Sequence, residues 1–143
     1  MKGLLLFLAV SLLLCGAASG EDISGPLGGI MGPGTYDVVG NLSVQQGDSL
    51  ILLPGTIFLF QGDFNFTIFG YISFVGTEQD SVKLLKAPGS DPWNGLNCNP
   101  STIVGSRLEY CVIDGSDMQG FETYACSFEL SRCTIRNSST QVC

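Results

Sequence analysis

The sequence contains no histidine, the side chain that most often acts as a general base or metal ligand near neutral pH. Positive charge is also scarce, because six lysines and arginines face 13 aspartates and glutamates. No two cysteines lie within four residues of each other, so the ligand spacing of a zinc site is missing. These absences argue against zinc chemistry, histidine-based catalysis and binding to nucleic acid phosphates.

Helical patterns are missing as well. No segment carries a 3.6-residue apolar stripe ten residues long, so we expect almost no helix. From Thr35 onward, short runs of β-branched and aromatic residues alternate with Gly, Asn, Asp and Pro, as in Thr56-Ile-Phe-Leu-Phe60 and Tyr71-Ile-Ser-Phe-Val75. Such runs have the length and composition of strands separated by turns. The sequence therefore predicts an all-β fold.

Residues 1–20 have the three parts of a secretory signal peptide. Lys2 supplies positive charge, Leu4–Leu14 is an unbroken apolar run, and Cys15–Gly20 is rich in small residues. We predict cleavage between Gly20 and Glu21. The apolar run is too short to cross a bilayer, and no later segment is longer. We therefore expect a secreted or cell-surface protein without membrane insertion after cleavage.

The mature chain, residues 21–143, is expected to be acidic and to form one domain. It is long enough for a single core, and its five cations would face 13 carboxylates for a net charge of about −8. The simplest role of that charge is solubility. The mature chain keeps an odd number of cysteines, so at least one thiol is free or paired with another chain: Cys98, Cys111, Cys126, Cys133 and Cys143.

The strand pattern repeats along the chain. Leu108-Glu-Tyr-Cys-Val-Ile113 and Leu130-Ser-Arg-Cys-Thr-Ile135 share Leu, Cys and Ile at one constant offset. Weaker matches join Asn41-Leu-Ser-Val to Asn65-Phe-Thr-Ile, and Pro54-Gly-Thr to Val75-Gly-Thr, at similar offsets. A unit of about 21–24 residues can hold three short strands and three turns, as a three-sided β-solenoid requires.

These units predict a right-handed parallel β-helix over residues 35–143. Residues 21–34 are rich in Gly and Pro and show no period, so we interpret them as an irregular lead-in. The chain stops soon after the second clear Leu-x-x-Cys-x-Ile unit. A solenoid without a cap exposes backbone donors and acceptors at its last strands, so we expect the chain to be truncated at its C-terminus.

The cysteines of the two clear units form the first candidate site. Alternate side chains of a strand point to the same side, so Cys111 and Cys133 should stack in the interior beside Ile113 and Ile135. We favour a buried cysteine ladder, because cysteine fills small interior positions well. A disulfide between the two turns is the alternative, since the strand spacing falls within the allowed Cα separation.

The same register makes two predictions about the outer surface. Tyr110 should lie under Arg132 as a cation–π contact, and Asp114 should lie under Arg136 as an ion pair. Tyr110 and the single tryptophan, Trp93, are also candidate carbohydrate contacts, because exposed rings can stack on sugars. For Trp93 we favour the alternative of packing at a corner beside Gly95.

Two further sets of polar residues have ordinary interpretations. Four carboxylates near one edge could bind Ca²⁺ or act in glycoside chemistry, but solvated turn residues are favoured: Asp114, Asp117, Glu122 and Glu129. Three asparagines begin Asn-x-Ser/Thr triplets, which matter for glycosylation only in a eukaryotic host: Asn41, Asn65 and Asn137.

The order of the short motifs resembles that of a known family. Tyr36-x-Val-x-Gly-Asn-Leu-Ser-Val44 is followed by Gly47-Asp-Ser-Leu50, Pro54-Gly-Thr56 and Trp93-x-Gly-Leu96. Together with the Leu-x-x-Cys-x-Ile units, this order resembles bacterial secreted right-handed parallel β-helix repeat proteins of the pectate-lyase-like superfold, over about residues 35–137. The resemblance implies a secreted or cell-surface role for an N-terminal fragment of a larger protein. The same superfold also carries polysaccharide enzymes, so fold alone does not decide function.

We expect a non-catalytic structural or adhesive module that uses no cofactor and no metal. Its expected partners are a polysaccharide or another surface protein, with no nucleic acid. A carbohydrate-active enzyme fragment, such as a polysaccharide lyase or hydrolase, is the first alternative. A carbohydrate-binding module that uses exposed aromatic rings, including Tyr71, is the second.

Overall fold

The computed structural model describes residues 20–99, 105–117, 121–123 and 128–138, with backbone alone for 121–123. These residues form 14 strands: β1 Glu21–Pro26, β2 Gly29–Met31, β3 Gly34–Val44, β4 Ser49–Leu52, β5 Thr56–Phe60, β6 Phe66–Ile68, β7 Tyr71–Val75, β8 Val82–Lys86, β9 Leu96–Cys98, β10 Arg107–Glu109, β11 Cys111–Asp114, β12 Phe121–Thr123, β13 Glu129–Ser131 and β14 Thr134–Arg136. Within those ranges there is no helix, and hence none that could cross a membrane. The prediction of an all-β chain is confirmed.

All strand pairs are parallel, and the strands form two sheets. The smaller sheet has the order β13-β10-β7-β4-β2, and the larger has β12-β9-β6-β3-β5-β8-β11-β14 with β1 added on β3. The long strand β3 joins two halves of the larger sheet, because its start pairs with β5 and its end pairs with β6. Successive strands therefore belong in turn to three groups of paired strands.

The core lies between these three groups of strands. In β5 the side chains alternate between buried and half-buried, which is the two-residue period of a strand with one face inward. Phe58, Phe66 and Phe74, one from each group of strands, meet in what we call the central aromatic layer. The ring centroids of Phe58 and Phe66 lie 6.1 Å apart, and those of Phe66 and Phe74 lie 6.0 Å apart. Burial of each ring stabilises the fold by roughly 1.5–3 kcal/mol.

The register confirms two of the three sequence matches. Leu108 pairs with Leu130, and Leu42 pairs with Phe66, each as its repeated motif predicts. The register predicted by matching Pro54-Gly-Thr to Val75-Gly-Thr is wrong. It would pair Ile57 with Glu78, but Ile57 pairs with Lys83. Another turn of the chain is longer still, since Phe74 pairs with Leu108. Connections on the surface absorb extra residues without disturbing the strand pairs.

Residues 21–34 are not the irregular lead-in that their composition predicts. They contain β1, which pairs with β3, and β2, which pairs with β4. Among the described residues each of these strands pairs on one side only, and on its other side proline costs no ladder hydrogen bond. Pro26 and the glycines are therefore compatible with strand pairing at this end. Leu27 then donates its backbone N–H to the Ser43 carbonyl at 2.8 Å, so the first strands cover the core.

Candidate functional site

Two equivalent corners bring the predicted site residues together. The chain passes from β10 to β11 through Tyr110, and one turn later it leaves β13 through Arg132. Both corner residues adopt the left-handed conformation, with φ of 49° and 53°. An L-residue pays roughly 1 kcal/mol there, so each corner depends on its contacts for stability. We call Tyr110, Cys111, Arg132 and Cys133 the stacked corner.

The outer side of the stacked corner is a cation over a ring. The guanidinium carbon of Arg132 lies 5.2 Å from the centroid of the Tyr110 ring, and its Nη1 also donates a hydrogen bond to the Tyr110 hydroxyl. The predicted cation–π contact is therefore confirmed. It covers one face of the ring, so a sugar could stack on Tyr110 only from the other side or by displacing Arg132. At an exposed site the contact contributes about 0.5–1 kcal/mol.

The inner side of the stacked corner is a pair of thiols. The Cys111 side chain is buried, with its sulfur 3.2 Å from the Phe74 carbonyl oxygen, whereas the Cys133 side chain is half-buried, with its sulfur 3.4 Å from the Leu108 carbonyl oxygen. The Cys111 thiol can donate to the Cys133 sulfur in place of the Phe74 carbonyl, and no disulfide links the two cysteines. The structure thus has the ladder arrangement rather than a disulfide between turns.

The contact between the thiols shifts their pKa values in opposite directions. The hydrogen bond from Cys111 lowers the pKa of Cys133 to about 6, although partial burial opposes the shift. The same hydrogen bond, together with burial, raises the pKa of Cys111. Cys133 is therefore the more acidic thiol of the pair, and the thiolate is the nucleophilic form of cysteine. The half-buried position of Cys133 leaves that nucleophile within reach of small reagents.

Asp114 forms the second predicted pair. Its Oδ2 accepts a hydrogen bond from Arg136 Nε at 2.8 Å, and its Oδ1 accepts one from Asn137 Nδ2 at 2.8 Å. The predicted ion pair with Arg136 is confirmed. Burial acts to raise the pKa of Asp114, but the hydrogen bonds from Asn137 and Arg136 and the Arg136 charge outweigh it, and the net shift is downward. Both carboxylate oxygens are engaged, so this group is a poor proton acceptor.

We expect Asp114→Asn to lower the free energy of unfolding by about 0.5 kcal/mol at neutral pH, the usual size for an exposed ion pair. The folded pKa of Asp114 lies below the unfolded value of about 3.9. Its contribution is therefore present above that unfolded value and is lost as the pH falls through the folded pKa. Urea unfolding in neutral and in strongly acidic buffer measures this, with Asp117→Asn as the exposed control. A difference of equal size in both buffers would contradict the assignment.

Trp93 is a packing residue, and its interpretation as a carbohydrate contact is wrong. The side chain is 0% exposed, so neither face of the indole can meet a sugar. The indole stacks on Phe60 with centroids 3.9 Å apart, and its Nε1 donates to the Asp114 carbonyl at 2.9 Å. Trp93 therefore packs in the interior next to the backbone of Asp114, the residue that pairs with Arg136.

A ladder of asparagines is a feature that the sequence patterns did not reveal. The Asn41 Oδ1 accepts from the Asn65 backbone N–H at 3.0 Å, and Asn94 Nδ2 donates to the Asn65 Oδ1. The matching motifs that begin at Asn41 and Asn65 were a usable signal, because equal positions in successive turns lie over each other. Asn94 gave no such signal, since the turn before it is longer. Together with Asn137, which donates to Asp114, all three candidate glycosylation sites therefore carry structural hydrogen bonds.

The remaining candidates are dispersed. Asp117 and Glu129 are exposed, and no group of three or more potential metal ligands occurs in the part of the chain that the structure describes. Gly20 directly precedes β1, in which Glu21 pairs with Tyr36. Cys98 is buried in β9. Three of the predicted positions fall outside the residues whose side chains are described, as does Ser139, which completes the triplet that begins at Asn137: Glu122, Cys126 and Cys143.

The sequence matches no family model. No curated protein matches it, and no solved structure matches its fold. The paired strands, the stacked corner and the surface charges are therefore the features that bear on its function.

Proposed function

We propose that this chain is a segment of a right-handed, three-sided parallel β-helix that serves as a non-catalytic structural or adhesive module, secreted or at a cell surface. The observation that carries the proposal is the continuity of its interior columns. One column runs through five strands by direct pairing: Tyr36, Phe58, Leu84, Ile113 and Ile135. Right-handed crossovers are the rule for parallel strands joined in this way.

Continuous columns make a stiff scaffold. Each layer packs on the layers before and after it, so the stack resists bending as a close-packed solid does. Outward side chains are held in rows at the strand spacing of about 4.8 Å. One such row consists of Thr35, Ile57, Lys83, Val112 and Thr134. A stiff face with evenly spaced groups suits a spacer or an adhesive surface toward a polysaccharide or another surface protein.

The carboxylates favour this role over polysaccharide hydrolysis. A general acid of a glycosidase needs a raised pKa so that it is protonated near neutral pH. Asp114, one of the candidates for such chemistry, has a lowered pKa and is held by Arg136 and Asn137. Its environment is that of a structural ion pair.

The test measures adhesion and turnover with the same protein. Beads coated with the folded chain should adhere to a film of polyuronide or of cell-surface protein more strongly than beads coated with Leu84→Asp, which places a charge at a fully buried position. No unsaturated uronate should accumulate by ultraviolet absorbance, with or without Ca²⁺. Equal adhesion of the two coatings would overturn the adhesive role. Product that Asp114→Asn abolishes would establish the enzyme alternative instead.

A further inference from the structure

Cys111 and Cys133 occupy equal positions in successive turns of the chain. Two residues before them Glu109 pairs with Ser131, and the pairing of β11 with β14 after them keeps the same offset. The register is therefore unchanged through the corner, and one cysteine side chain lies over the other. Adjacent strands are about 4.8 Å apart, so the two sulfurs lie within about that distance of each other.

The surroundings of the two sulfurs repeat as well. The Cys111 Sγ lies 3.2 Å from the Phe74 carbonyl oxygen, and the Cys133 Sγ lies 3.4 Å from the Leu108 carbonyl oxygen. Phe74 and Leu108 are themselves paired, so each sulfur meets the same carbonyl position of the turn before its own. Each sulfur also lies near the carbonyl oxygen two residues earlier in the chain, at 3.5 Å and 3.3 Å. These contacts hold both thiols on one side of the corner.

Two thiols that point the same way at this spacing suit an ion between them better than a disulfide. A disulfide needs sulfurs about 2.05 Å apart, so the two parallel side chains would have to turn toward each other. A zinc–thiolate bond is about 2.3 Å long, and two bonds of similar length in line span about 4.6 Å. That span is close to the strand spacing, so a bridging ion requires no movement of the strands.

The ligand set decides which ion the thiols suit. In the ranges that the structure describes, no group of three or more potential metal ligands forms around the two sulfurs. Val82, which pairs with Cys111 from the turn before, is apolar and supplies no further ligand. Zinc in proteins takes four ligands, whereas thiolates favour soft ions such as Cu⁺, which is stable between two sulfurs in line. The pair therefore fits Cu⁺ or its heavier analogue Ag⁺.

We propose that Cys111 and Cys133 form a two-coordinate binding site for a soft monovalent cation of the Cu⁺ type. Two thiolates and one such ion leave a single negative charge at the corner. The guanidinium of Arg132, which stacks on Tyr110 at the same corner, partly offsets that charge. This proposal goes beyond the adhesive role, and it departs from the expectation that the chain uses no metal.

The main experiment is a competition for Cu⁺. The reduced chain, kept free of oxygen, is titrated against the coloured complex of Cu⁺ with bathocuproine disulfonate, whose loss of absorbance measures uptake. The wild-type chain should take up one tightly bound ion. Cys111→Val and Cys133→Val should each weaken binding more than about 100-fold, since even residues that only orient metal ligands contribute about 10- to 100-fold. Absence of uptake by the wild-type chain, or tight uptake by either variant, would overturn the proposal.

A matched control shows whether uptake belongs to this pair of cysteines. Cys98→Val alters another buried cysteine, in β9, and should leave the uptake of Cu⁺ unchanged. Loss of the ion in that variant would mean that the site is built differently, and the proposal would be wrong. Circular dichroism of each variant establishes that it has kept its strands.

A direct measurement on the wild-type chain avoids variants altogether. X-ray absorption at the copper edge of the loaded protein counts the ligands, and two sulfur neighbours are expected. Three or more sulfurs would contradict a two-coordinate site. One equivalent of Ag⁺ should also protect Cys133 from iodoacetamide, and unchanged labelling would count against the proposal. Adhesion of the metal-free chain is measured separately on beads, so either proposal can fail without the other.

Discussion

Trp93→Ala is expected to lower the free energy of unfolding by about 3–5 kcal/mol, the usual range for removing a buried large aromatic side chain. The indole is fully buried and stacks on Phe60. Its loss would leave a cavity and would also deprive the Asp114 carbonyl of the indole N–H at 2.9 Å. The cavity and the unsatisfied acceptor act in the same direction.

Urea unfolding followed by circular dichroism measures the loss. Trp93→Phe should keep most of the stacking on Phe60 and cost clearly less than alanine. Leu85→Ala, at an outward position of β8, should cost less than about 1 kcal/mol and serves as the surface control. Because Trp93 is the only tryptophan, the fluorescence of the wild-type chain reports on this site alone. Ready quenching of that fluorescence by acrylamide in the folded protein would contradict the buried position.

Cys133 is expected to react with iodoacetamide with a pH midpoint near its pKa of about 6. Half of its plateau rate should therefore be reached close to that pH. A cysteine with the ordinary pKa of about 8.5 would reach only a small fraction of its plateau there, a difference of roughly 100-fold. Peptide mapping by mass spectrometry assigns the label, since other cysteines are present. Cys111, which is buried, should stay unlabelled in the folded chain.

Two variants at Cys111 test the cause of the shift. Cys111→Val removes the thiol donor and should move the Cys133 midpoint upward toward the ordinary range. Valine fits the position, because Val82 fills the same column one layer earlier. Cys111→Ser keeps a donor and should leave the midpoint low. Equal midpoints in the valine and serine variants would show that the hydrogen bond from Cys111 does not set the acidity of Cys133.

The later part of the chain was predictable because its repeats are strict. Leu108, Cys111 and Ile113 recur at one offset, and that offset alone places Tyr110 under Arg132 and Asp114 under Arg136. A period-two strand fixes which side chains point inward, so a single correct offset determines a whole set of neighbours. The structure also shows the cysteine stack that this offset predicts, without a disulfide.

The earlier part of the chain resisted prediction for physical reasons. In the described part of the chain β1 and β2 are edge strands that pair on one side only. Gly and Pro are tolerated at such an edge, so their presence hides the strand pattern. Turns of unequal length conceal the register, as in the step from Phe74 to Leu108. The burial of Trp93 depends on Phe60, a partner distant in sequence, for which no local pattern gives a sign. Asn94 joins the asparagine ladder across a similarly long gap.

The central aromatic layer has a consequence for how the molecule opens. In the proposed β-helix each layer touches only its neighbours, so local stability should follow the side chains buried in each layer. Phe58, Phe66 and Phe74 should therefore anchor the most slowly exchanging amides, those of β5, β6 and β7. Protection should decline toward β13 and β14, whose inward side chains are aliphatic or thiol and only partly covered. The chain should then unfold progressively, starting at β13 and β14, rather than in a single cooperative step.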